Sequence, residues 1–395
     1  MNPVIGNVIA NAIDEHSFEL RELSLKIHDE PELSFHEHKA YHWLTAYLEK
    51  KGFKVTRQVA NLKTSFVAEF SNNANGRRVG FCSEYDALPG VGHGCGHNLI
   101  AISGVACALA MKALLEQNLV QGTVVLFGTP AEEKGTGKVD MVKAGEFQNR
   151  VDFCMMLHPF ARDGVYAKML AIDTLDVEYF GKASHAGMAP WNGINALDAL
   201  MQAFDNVAML RQQTLPSNRI HGIITNGGKS PNVIPDYTSA NFYARSVTRD
   251  QLKELSAKLN KCFEAAAVST GCQVKLNWVG AVDDVFQNDS LASYYTKYMT
   301  EEGATMPSRE ETEKDVSGST DMGTVSYTVP SLHPGFAIGT TATNHTVEFT
   351  EAARTEAAHE YTLRAARSLS KTAASVLLDS KLFEQVVADF HKRVD

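Results

Sequence analysis

The sequence predicts an α/β protein in which a second, α+β domain is inserted into the first. The chain has 395 residues, which is more than one hydrophobic core usually supports. In the first half of the chain, short apolar runs typical of buried strands alternate with segments of helical periodicity. This alternation is typical of a layered sheet with flanking helices. From about residue 171 the order of strands and helices changes. We therefore expect domain segments at 1–170, 171–284 and 285–395.

The first segment begins with helices and continues with alternating strands and helices. Its predicted elements are helices near 15–28 and 37–51, strands near 53–59, 64–70 and 78–83, an apolar helix from Leu99 to Leu115, and buried strands in TVVLFGTP and VDFCMMLHP. Continuous apolar runs of this kind are typical of parallel strands that are covered on both faces.

The inserted segment has the order βαββαβ. Its predicted elements are a strand in TLDVEYFGK, a helix from Asn195 to Gln213, strands in HGIITNGG and TSANFYARSV, a helix from Arg249 to Ser269, and a strand in CQVKLNW. This order typically gives a ferredoxin-like, four-stranded antiparallel sheet with two helices on one face. The first domain then resumes with a helix around 289–302, strands in SLHPGFAIG, and closing helices at 349–369 and 380–392.

The composition narrows the classes of partner. A net charge of −9 argues against a nucleic-acid backbone, which requires clustered lysine and arginine. The N-terminus does not resemble a signal peptide, and we expect no stretch long enough to span a bilayer, so no membrane partner. Six cysteines are too few for a disulfide framework and are expected to be reduced. These features predict a cytoplasmic protein with a small-molecule substrate.

The densest polar run is EYDALPGVGHGCGHN, at residues 84–98, between a predicted strand and the Leu99 helix. Ligands of open α/β sheets bind beyond the carboxyl ends of the strands, so this loop lies where function normally resides. Cys95 and His97 are separated by one glycine and can face one ion. A thiolate and an imidazole suit zinc and are acceptable to manganese.

Further candidate ligands follow other strands. They are Glu132 and Glu133 after TVVLFGTP, His158 after VDFCMML, and His345 in the loop TATNHT. Each has an ordinary alternative, since a lone histidine after a strand is often structural and paired glutamates often open a solvated helix. Their common position at the same kind of structural edge favours a metal site.

These residues stand in motifs that resemble the amidohydrolase branch of metallopeptidase family twenty, which includes hippurate hydrolases, auxin-conjugate hydrolases and the aminobenzoyl-glutamate hydrolase type. The motifs are EYDALP at 84–89, HGCGHN at 93–98, PAEE at 130–133, LHP at 157–159 and GKASHA at 181–186. The resemblance spans nearly the whole chain. It implies a zinc-peptidase-like mixed sheet with flanking helices, and an inserted lid and dimerisation domain.

The resemblance also implies two divalent metal ions per subunit, zinc or manganese. Cys95 would bridge the two ions, with His97 and His158 completing one site and Glu133 and His345 the other. Two such cations lower the pKa of a bridging water and polarise the scissile carbonyl.

Two carboxylates are expected to act beside the ions. Glu132 would be the general base that takes the water proton and passes it to the leaving amine. Asp86 would orient a ligand, although a turn aspartate before Pro89 is an equally open interpretation.

Glu84 is not counted as a ligand, because peptidases of the wider family carry histidine at this position. Asn98, with the STDMG and HPGFAIG motifs, favours the aminobenzoyl-glutamate hydrolase and dipeptidase-like group.

In the inserted domain the resemblance gives roles to three residues. His185 would reach the metal site of the neighbouring subunit and stabilise the oxyanion, while Asn232 and Arg245 would hold the substrate carboxylate. A turn histidine, a turn asparagine and an exposed strand arginine are the ordinary alternatives. A histidine that acts on a neighbouring subunit requires an assembly, and a homodimer is therefore expected.

The sequence thus predicts a metal-dependent amidohydrolase that cleaves N-acyl amino acids or small dipeptides with a free carboxylate, such as aminobenzoyl-glutamate-like compounds. Two alternatives stay open at this point. One is an aminopeptidase or carboxypeptidase that acts on longer peptides. The other is a catalytically silent binding protein of the same fold.

Overall fold

Two units make up the chain in the computed structural model, which describes residues 1–314 and 318–394. The larger unit contains Met1–Lys168 and Val285–Asp395, and the smaller unit contains Met169–Asp284. The larger unit is therefore formed from two separate stretches of the sequence.

Helices and strands alternate along the first part of the larger unit. They are α1 (Pro3–Asp29), α2 (His38–Lys50), β1 (Lys54–Arg57), β2 (Phe66–Ser71), β3 (Arg78–Ser83), α3 (His97–Glu116), β4 (Thr123–Gly128), α4 (Gly137–Lys143), β5 (Phe153–Met155) and β6 (His158–Phe160). α1 begins earlier than predicted, because the Asn2 side chain accepts the Val4 N–H and Pro3 suits the first helical position.

The smaller unit is built on an antiparallel sheet in the order β10-β7-β9-β8. Its elements are β7 (Ala171–Phe180), α5 (Ala196–Leu210), β8 (Arg219–Asn226), β9 (Tyr237–Ser246), α6 (Arg249–Thr270) and β10 (Gln273–Trp278). The helices and the sheet share one apolar core, in which the rings of Phe242 and Phe263 pack edge to face. The use of this unit as a lid and dimerisation domain stays a prediction.

The larger unit then resumes and closes with helices. Its remaining elements are α7 (Asp289–Glu301), α8 (Arg309–Thr312), α9 (Met322–Ser326), β11 (Ser331–Leu332), β12 (Gly335–Ala337), α10 (Val347–Ala353), α11 (Glu356–Leu378) and α12 (Ser380–Val394). The single helix predicted at 349–369 is two helices, because Thr355 caps a new helix by accepting the Ala358 N–H.

The main sheet has the order β1-β2-β4-β3-β5-β11. Strands β4, β3, β5 and β11 run parallel, whereas β1 and β2 join antiparallel at one edge. Every residue of β4 is buried, which explains why its sequence is a continuous apolar run. The predicted mixed α/β fold is confirmed. The carboxyl ends of the parallel strands lie at one edge of the sheet.

Helix α3 is the central helix of the larger unit. It belongs to the same apolar core as residues of α1 and α11. By length and composition it could cross a membrane, and 89% of its most apolar window is buried within the protein. The expectation that no stretch reaches bilayer-spanning length was therefore wrong for this helix. Its apolar character matches burial on all sides.

Gly128, the last residue of β4, leaves room for an aromatic ring. Gly128 lies opposite Phe66 in the sheet register, and a Cβ at Gly128 would come within 2.0 Å of the Phe66 ring. The Phe66 ring in turn stacks on Tyr85, with centroids 6.2 Å apart. The glycine therefore allows this aromatic stack directly before the loop that carries Glu132 and Glu133.

Gly128→Ala is expected to lower the free energy of unfolding by about 1–3 kcal/mol, because the added methyl overpacks the Phe66 site. Gly6→Ala is the matched control, since a Cβ at Gly6 of α1 meets nothing within 4 Å. It should raise stability by about 0.5–1 kcal/mol through the better helix propensity of alanine. Chemical denaturation measures both, and equal effects of the two substitutions would contradict this account.

Candidate metal centre

The loops after three neighbouring parallel strands carry most of the predicted site residues. Asp86 follows β3, Glu132 and Glu133 follow β4, and His158 begins the short strand β6 shortly after β5. Cys95 and His97 lie at the start of α3, where Gly96 has a φ of +73° that allows the chain to turn into the helix. The fold thus brings these side chains to one edge of the sheet.

Cys95 lies in two groups of ligand atoms. In the first group, single atoms of Cys95, His97 and His158 lie within 4.8 Å of one another, and the Cys95 Sγ is 3.4 Å from His158 Nε2. In the second group, atoms of Cys95, Glu133 and His345 lie within 4.8 Å of one another, with His345 Nε2 3.5 Å from Glu133 Oε2. The shared sulfur is the arrangement that a bridging ligand requires.

His345 joins the second group from the loop before α10. Its backbone N–H donates to the Gly94 carbonyl at 2.8 Å, and its φ of +68° lies in the left-handed region. The His345 side chain is 56% exposed, whereas His97 is fully buried. Solvent therefore reaches the centre from the side of the second group.

Hydrogen bonds orient the buried histidines toward the centre. His97 Nδ1 lies 3.1 Å from Asp86 Oδ1, and His158 Nδ1 lies 3.0 Å from the Pro159 carbonyl. If each Nδ1 carries the proton, each Nε2 presents a lone pair to the cluster, as in metal-binding histidines. His97 Nε2 and Glu133 Oε1 are buried and have no hydrogen-bond partner. Such orphaned atoms fit coordination to a metal ion.

Negative charge is concentrated in this buried centre. Burial raises the pKa of the Cys95 thiol, and burial with the charges of Glu84 and Glu133 raises the pKa of Glu132 well above its usual range. Burial also raises the pKa of Glu133. These directions mean that, despite the positive charge of His97, the charged forms lack sufficient compensating positive charge. Divalent cations would supply it, and the set of thiol, imidazole and carboxylate donors suits them.

The two buried histidines differ in their protonation. Burial lowers the pKa of His158 to about 3, so that its imidazole is neutral at neutral pH. Burial alone would also lower the pKa of His97. The hydrogen bond with Asp86 and the interactions with Cys95 and Glu84 outweigh burial and raise the His97 pKa well above its usual value. A carboxylate behind a histidine in this way also increases its basicity as a metal ligand.

Glu132 borders the two groups without belonging to either. Its Oε2 lies 3.8 Å from His97 Nε2, and its backbone N–H donates to Asp86 at 3.2 Å. The neighbouring N–H of Glu133 donates to the other oxygen of Asp86 at 3.0 Å. A carboxylate held beside the ligand atoms in this way has the position that a general base requires.

A protein-family model matches most of the chain. The model of peptidase family M20/M25/M40 matches residues 78–368. The chain belongs to this family.

Two relatives in the family match nearly the whole chain. The mouse (Mus musculus) Xaa-Arg dipeptidase is 44% identical over 393 residues, covering 96% of this chain and 91% of the relative. One of the subunits of the p-aminobenzoyl-glutamate hydrolase of Escherichia coli K12 is 28% identical over 465 residues, covering 99% of this chain and 96% of the relative. The predicted reaction class, metal-dependent amide cleavage by a hydrolytic enzyme, is confirmed at this level.

A solved structure shares the fold. It is a protein from Bacillus subtilis described as a dinuclear metal-binding peptidase of family M20, with a TM-score of 0.70 and 20% identity. The match covers 92% of this chain and 99% of that chain.

A buried cluster of charged side chains lies beside the candidate metal centre. The sequence analysis did not predict this cluster. Glu84, which was not counted as a ligand, places Oε1 2.5 Å from Lys138 Nζ and Oε2 3.4 Å from His97 Nε2. Lys138 Nζ also lies 2.6 Å from Asp321 Oδ1, and the side chains of Glu84, Lys138 and Asp321 are all fully buried. Burial would lower the pKa of Lys138, but the charges of Asp321 and Glu84 raise it well above its usual range.

Sequence reasoning missed Lys138 because its partners are distant in the chain and a lysine in a short helix is usually solvated. The only local indication was its position in the KGTGK run directly after PAEE. Asp321 stands in the STDMG motif, which gives no indication of its partner.

The three site residues predicted in the smaller unit have local surroundings of their own. His185 is exposed, and its Nδ1 accepts the N–H groups of Gly187 at 3.2 Å and Met188 at 3.1 Å. Asn232 is exposed, and its backbone carbonyl accepts the Ala186 N–H at 2.9 Å. The loops of His185 and Asn232 are therefore neighbours. Arg245 lies half-buried on β9, and burial lowers its pKa.

Lys138→Met is expected to lower the free energy of unfolding by about 3–5 kcal/mol, because it leaves two buried carboxylates without their cation. Lys143→Met on the same helix is the matched control. The Lys143 side chain is 69% exposed and lies 3.4 Å from Asp140, an ion pair of the kind that contributes about 0–1 kcal/mol. Denaturant titration compares the two, and a loss below about 1 kcal/mol for Lys138→Met would refute the proposed importance of the buried cluster.

Proposed function

We propose that this chain is a two-metal dipeptidase that hydrolyses the amide bond of small dipeptides or N-acyl amino acids. The observation that carries the proposal is the Cys95 sulfur shared by two groups of ligand atoms. We assign Cys95 as the bridging ligand, His97 and His158 to one ion, and Glu133 and His345 to the other. Zinc or manganese suits this mixture of sulfur, nitrogen and oxygen donors.

The proposed substrate is a dipeptide whose C-terminal residue is basic. Its support is the 44% identity to an Xaa-Arg dipeptidase over 96% of this chain. Aminobenzoyl-glutamate-like amides are the second candidate, supported by the lower identity to the Escherichia coli hydrolase. In both cases the leaving group is an amino acid with a free carboxylate.

The mechanism assigns one role to each side chain near the ions. When bound, the two divalent ions would activate the attacking water and polarise the amide carbonyl. Glu132 accepts the proton of that water and delivers it to the leaving nitrogen as the carbon–nitrogen bond breaks. Asp86 holds His97 in place and accepts hydrogen bonds from the backbone N–H groups of Glu132 and Glu133. The proposed base Glu132 and the proposed ligand Glu133 therefore keep fixed positions relative to each other.

We further propose that the protein is a cytoplasmic homodimer in which the smaller unit serves the active site of the partner. Backbone amides occupy Nδ1 of His185, which leaves its Nε2–H free to donate to a developing oxyanion. Asn232 and Arg245 are proposed to bind the substrate carboxylate. The edge strand β8 exposes Ile223 and Ile224, as expected of an edge that pairs with a second copy.

The proposed cytoplasmic location is supported by the six cysteines, which are all free thiols, as is usual in a reducing compartment.

The activity test is a screen of metal-supplemented protein against dipeptides ending in arginine, lysine or glutamate, N-acyl amino acids, aminobenzoyl-glutamate and longer peptides. We expect hydrolysis of the dipeptides ending in arginine or lysine, and loss of turnover after chelation that added zinc or manganese restores. Preference for longer peptides over dipeptides would favour the aminopeptidase or carboxypeptidase alternative. No hydrolysis of any compound by protein with two bound ions would favour a silent binding protein.

Glu132→Gln should retain both metal ions and lose at least about 100-fold in kcat, because the amide cannot accept the water proton. Glu310→Gln is a control at a carboxylate that is 87% exposed, and its kcat should be unchanged. Elemental analysis and steady-state kinetics give the two readouts. Normal turnover by Glu132→Gln would remove Glu132 as the base.

A mixing experiment tests the dimer. Glu132→Gln and His185→Ala should each be inactive alone. If His185 acts on the partner subunit, an exchanged equimolar mixture should recover about a quarter of the wild-type activity, because half of the dimers then contain one intact site. A mixture that stays inactive although mass measurement detects mixed dimers would show that His185 does not act in trans.

A further inference from the structure

Glu37 is a fully buried carboxylate that lies directly before α2, far from the proposed metal ligands in sequence. Its Oε1 accepts the N–H of Ala131 at 2.9 Å and the N–H of Phe35 at 2.8 Å. Its Oε2 accepts the Thr64 hydroxyl at 2.7 Å. The Glu37 side chain thus binds the backbone of the residue that precedes Glu132.

Ala131 has an unusual backbone conformation. Its φ is +60°, in the left-handed region, which costs a residue with a Cβ roughly 1–2 kcal/mol. Ala131 is fully buried, so its backbone N–H must find a partner in the protein, and Glu37 provides it. The Ala131 carbonyl accepts the Thr136 N–H at 2.7 Å, so both polar groups of this residue are bonded. The surroundings therefore hold Ala131 in a conformation that it would not favour alone.

The segment from Ala131 to Lys138 is held by three buried carboxylates from three parts of the chain. Glu37 accepts the first N–H, Asp86 accepts the N–H groups of Glu132 and Glu133, and Asp321 accepts the N–H of Lys138 at 2.9 Å. The ring of Phe35 covers the middle of the segment, because a Cβ on Gly135 would come within 2.3 Å of it. Glu37 and the Phe35 ring therefore both restrain this segment.

Glu37 differs from the other two carboxylates in what it touches. Asp86 contacts His97, and Asp321 contacts Lys138 of the buried ion cluster. The hydrogen bonds of Glu37 reach backbone amides and one hydroxyl, and none of them ends on a metal-ligand side chain. The direct hydrogen-bonded route from Glu37 to Glu132 and Glu133 is therefore the backbone of Ala131.

We propose that Glu37 is a positioning residue, which fixes the left-handed turn at Ala131 and thereby the directions of the Glu132 and Glu133 side chains. The assignment of Glu132 as base and Glu133 as metal ligand rests on the proposed function. The hydrogen bond between Glu37 and the Ala131 N–H requires only an acceptor oxygen at the position of Oε1. Shape and hydrogen bonding, not charge, should decide the outcome of substitutions at this site.

Glu37→Gln and Glu37→Asp separate an effect of side-chain position from an effect of charge. Glutamine keeps the length and one acceptor oxygen for both N–H groups, and its amide can donate to the Thr64 hydroxyl. Aspartate keeps the charge but is one methylene too short to reach the same atoms. We expect kcat within about threefold of wild type for Glu37→Gln and a loss of at least about 30-fold for Glu37→Asp and Glu37→Ala, with KM little changed. Thr64→Val is the matched control, since it removes the third hydrogen bond and leaves the Ala131 contact intact.

Metal binding gives a readout that does not depend on activity. In Glu37→Asp, the affinity for one of two ions should fall by about 10-fold or more, because Glu133 is displaced, while Glu37→Gln binds both ions as wild type does. The metal-affinity measurement tests the role of Glu37 even if no amide substrate is found. If the wild-type protein hydrolyses no compound in the activity screen, that result counts against the proposed function alone.

Three results would overturn the proposal. Impaired Glu37→Gln with normal Glu37→Asp would mean that charge, not position, matters. Normal kcat and metal affinity in all folded Glu37 variants, with only a lower melting temperature, would mean a purely structural role. A loss in Thr64→Val as large as in Glu37→Asp would mean that the Ala131 contact has no special part.

Discussion

The hydrogen bonds of the Asp86 carboxylate are the interactions on which the arrangement of the candidate metal centre depends. This carboxylate accepts hydrogen bonds from the Ser34 hydroxyl and from the backbone N–H groups of Glu132 and Glu133, and it pairs with the ring of His97. Burial alone would raise the pKa of Asp86, but the hydrogen bond and charge of His97 lower it. One ionised group thus connects the N-terminal segment, the start of α3 and the loop after β4.

The second constraint is the balance of charge in a buried place. Carboxylates and a thiol are brought together where water does not screen them, and such groups are costly unless cations accompany them. Lys138 provides one positive charge for Glu84 and Asp321. The positive charge of His97 does not balance the two groups that share Cys95, since burial still raises the pKa of the Cys95 thiol and of Glu133, and these groups have the donor types that divalent metals use. The fold therefore balances the carboxylates of Glu84 and Asp321 with a lysine, and we propose that metal ions balance the two groups that share Cys95.

Much of the site follows from position in the sheet. Parallel strands β3, β4 and β5 end at one edge, so residues that directly follow them in sequence become neighbours in space. This is why Glu132, Glu133 and His158 could be grouped from sequence alone. Lys138 and Glu37 could not be grouped in this way. Lys138 looks like an ordinary helical lysine, and Glu37 bonds a residue 94 positions away in the chain. No periodicity or spacing encodes either contact.

The sequence by itself determined most of the longer elements, the mixed α/β class and the identity of the candidate ligands, because strand burial, helix periodicity and donor chemistry are properties of short segments. Only the tertiary structure decided that Glu84 pairs with Lys138 and that Glu37 restrains Ala131, whereas the shared position of Cys95 was already implied by the family resemblance. These contacts join distant segments, and their distances depend on how all the layers pack together. The left-handed conformation of Ala131 is the clearest case, since alanine favours it nowhere on its own and adopts it here because the surrounding bonds require it.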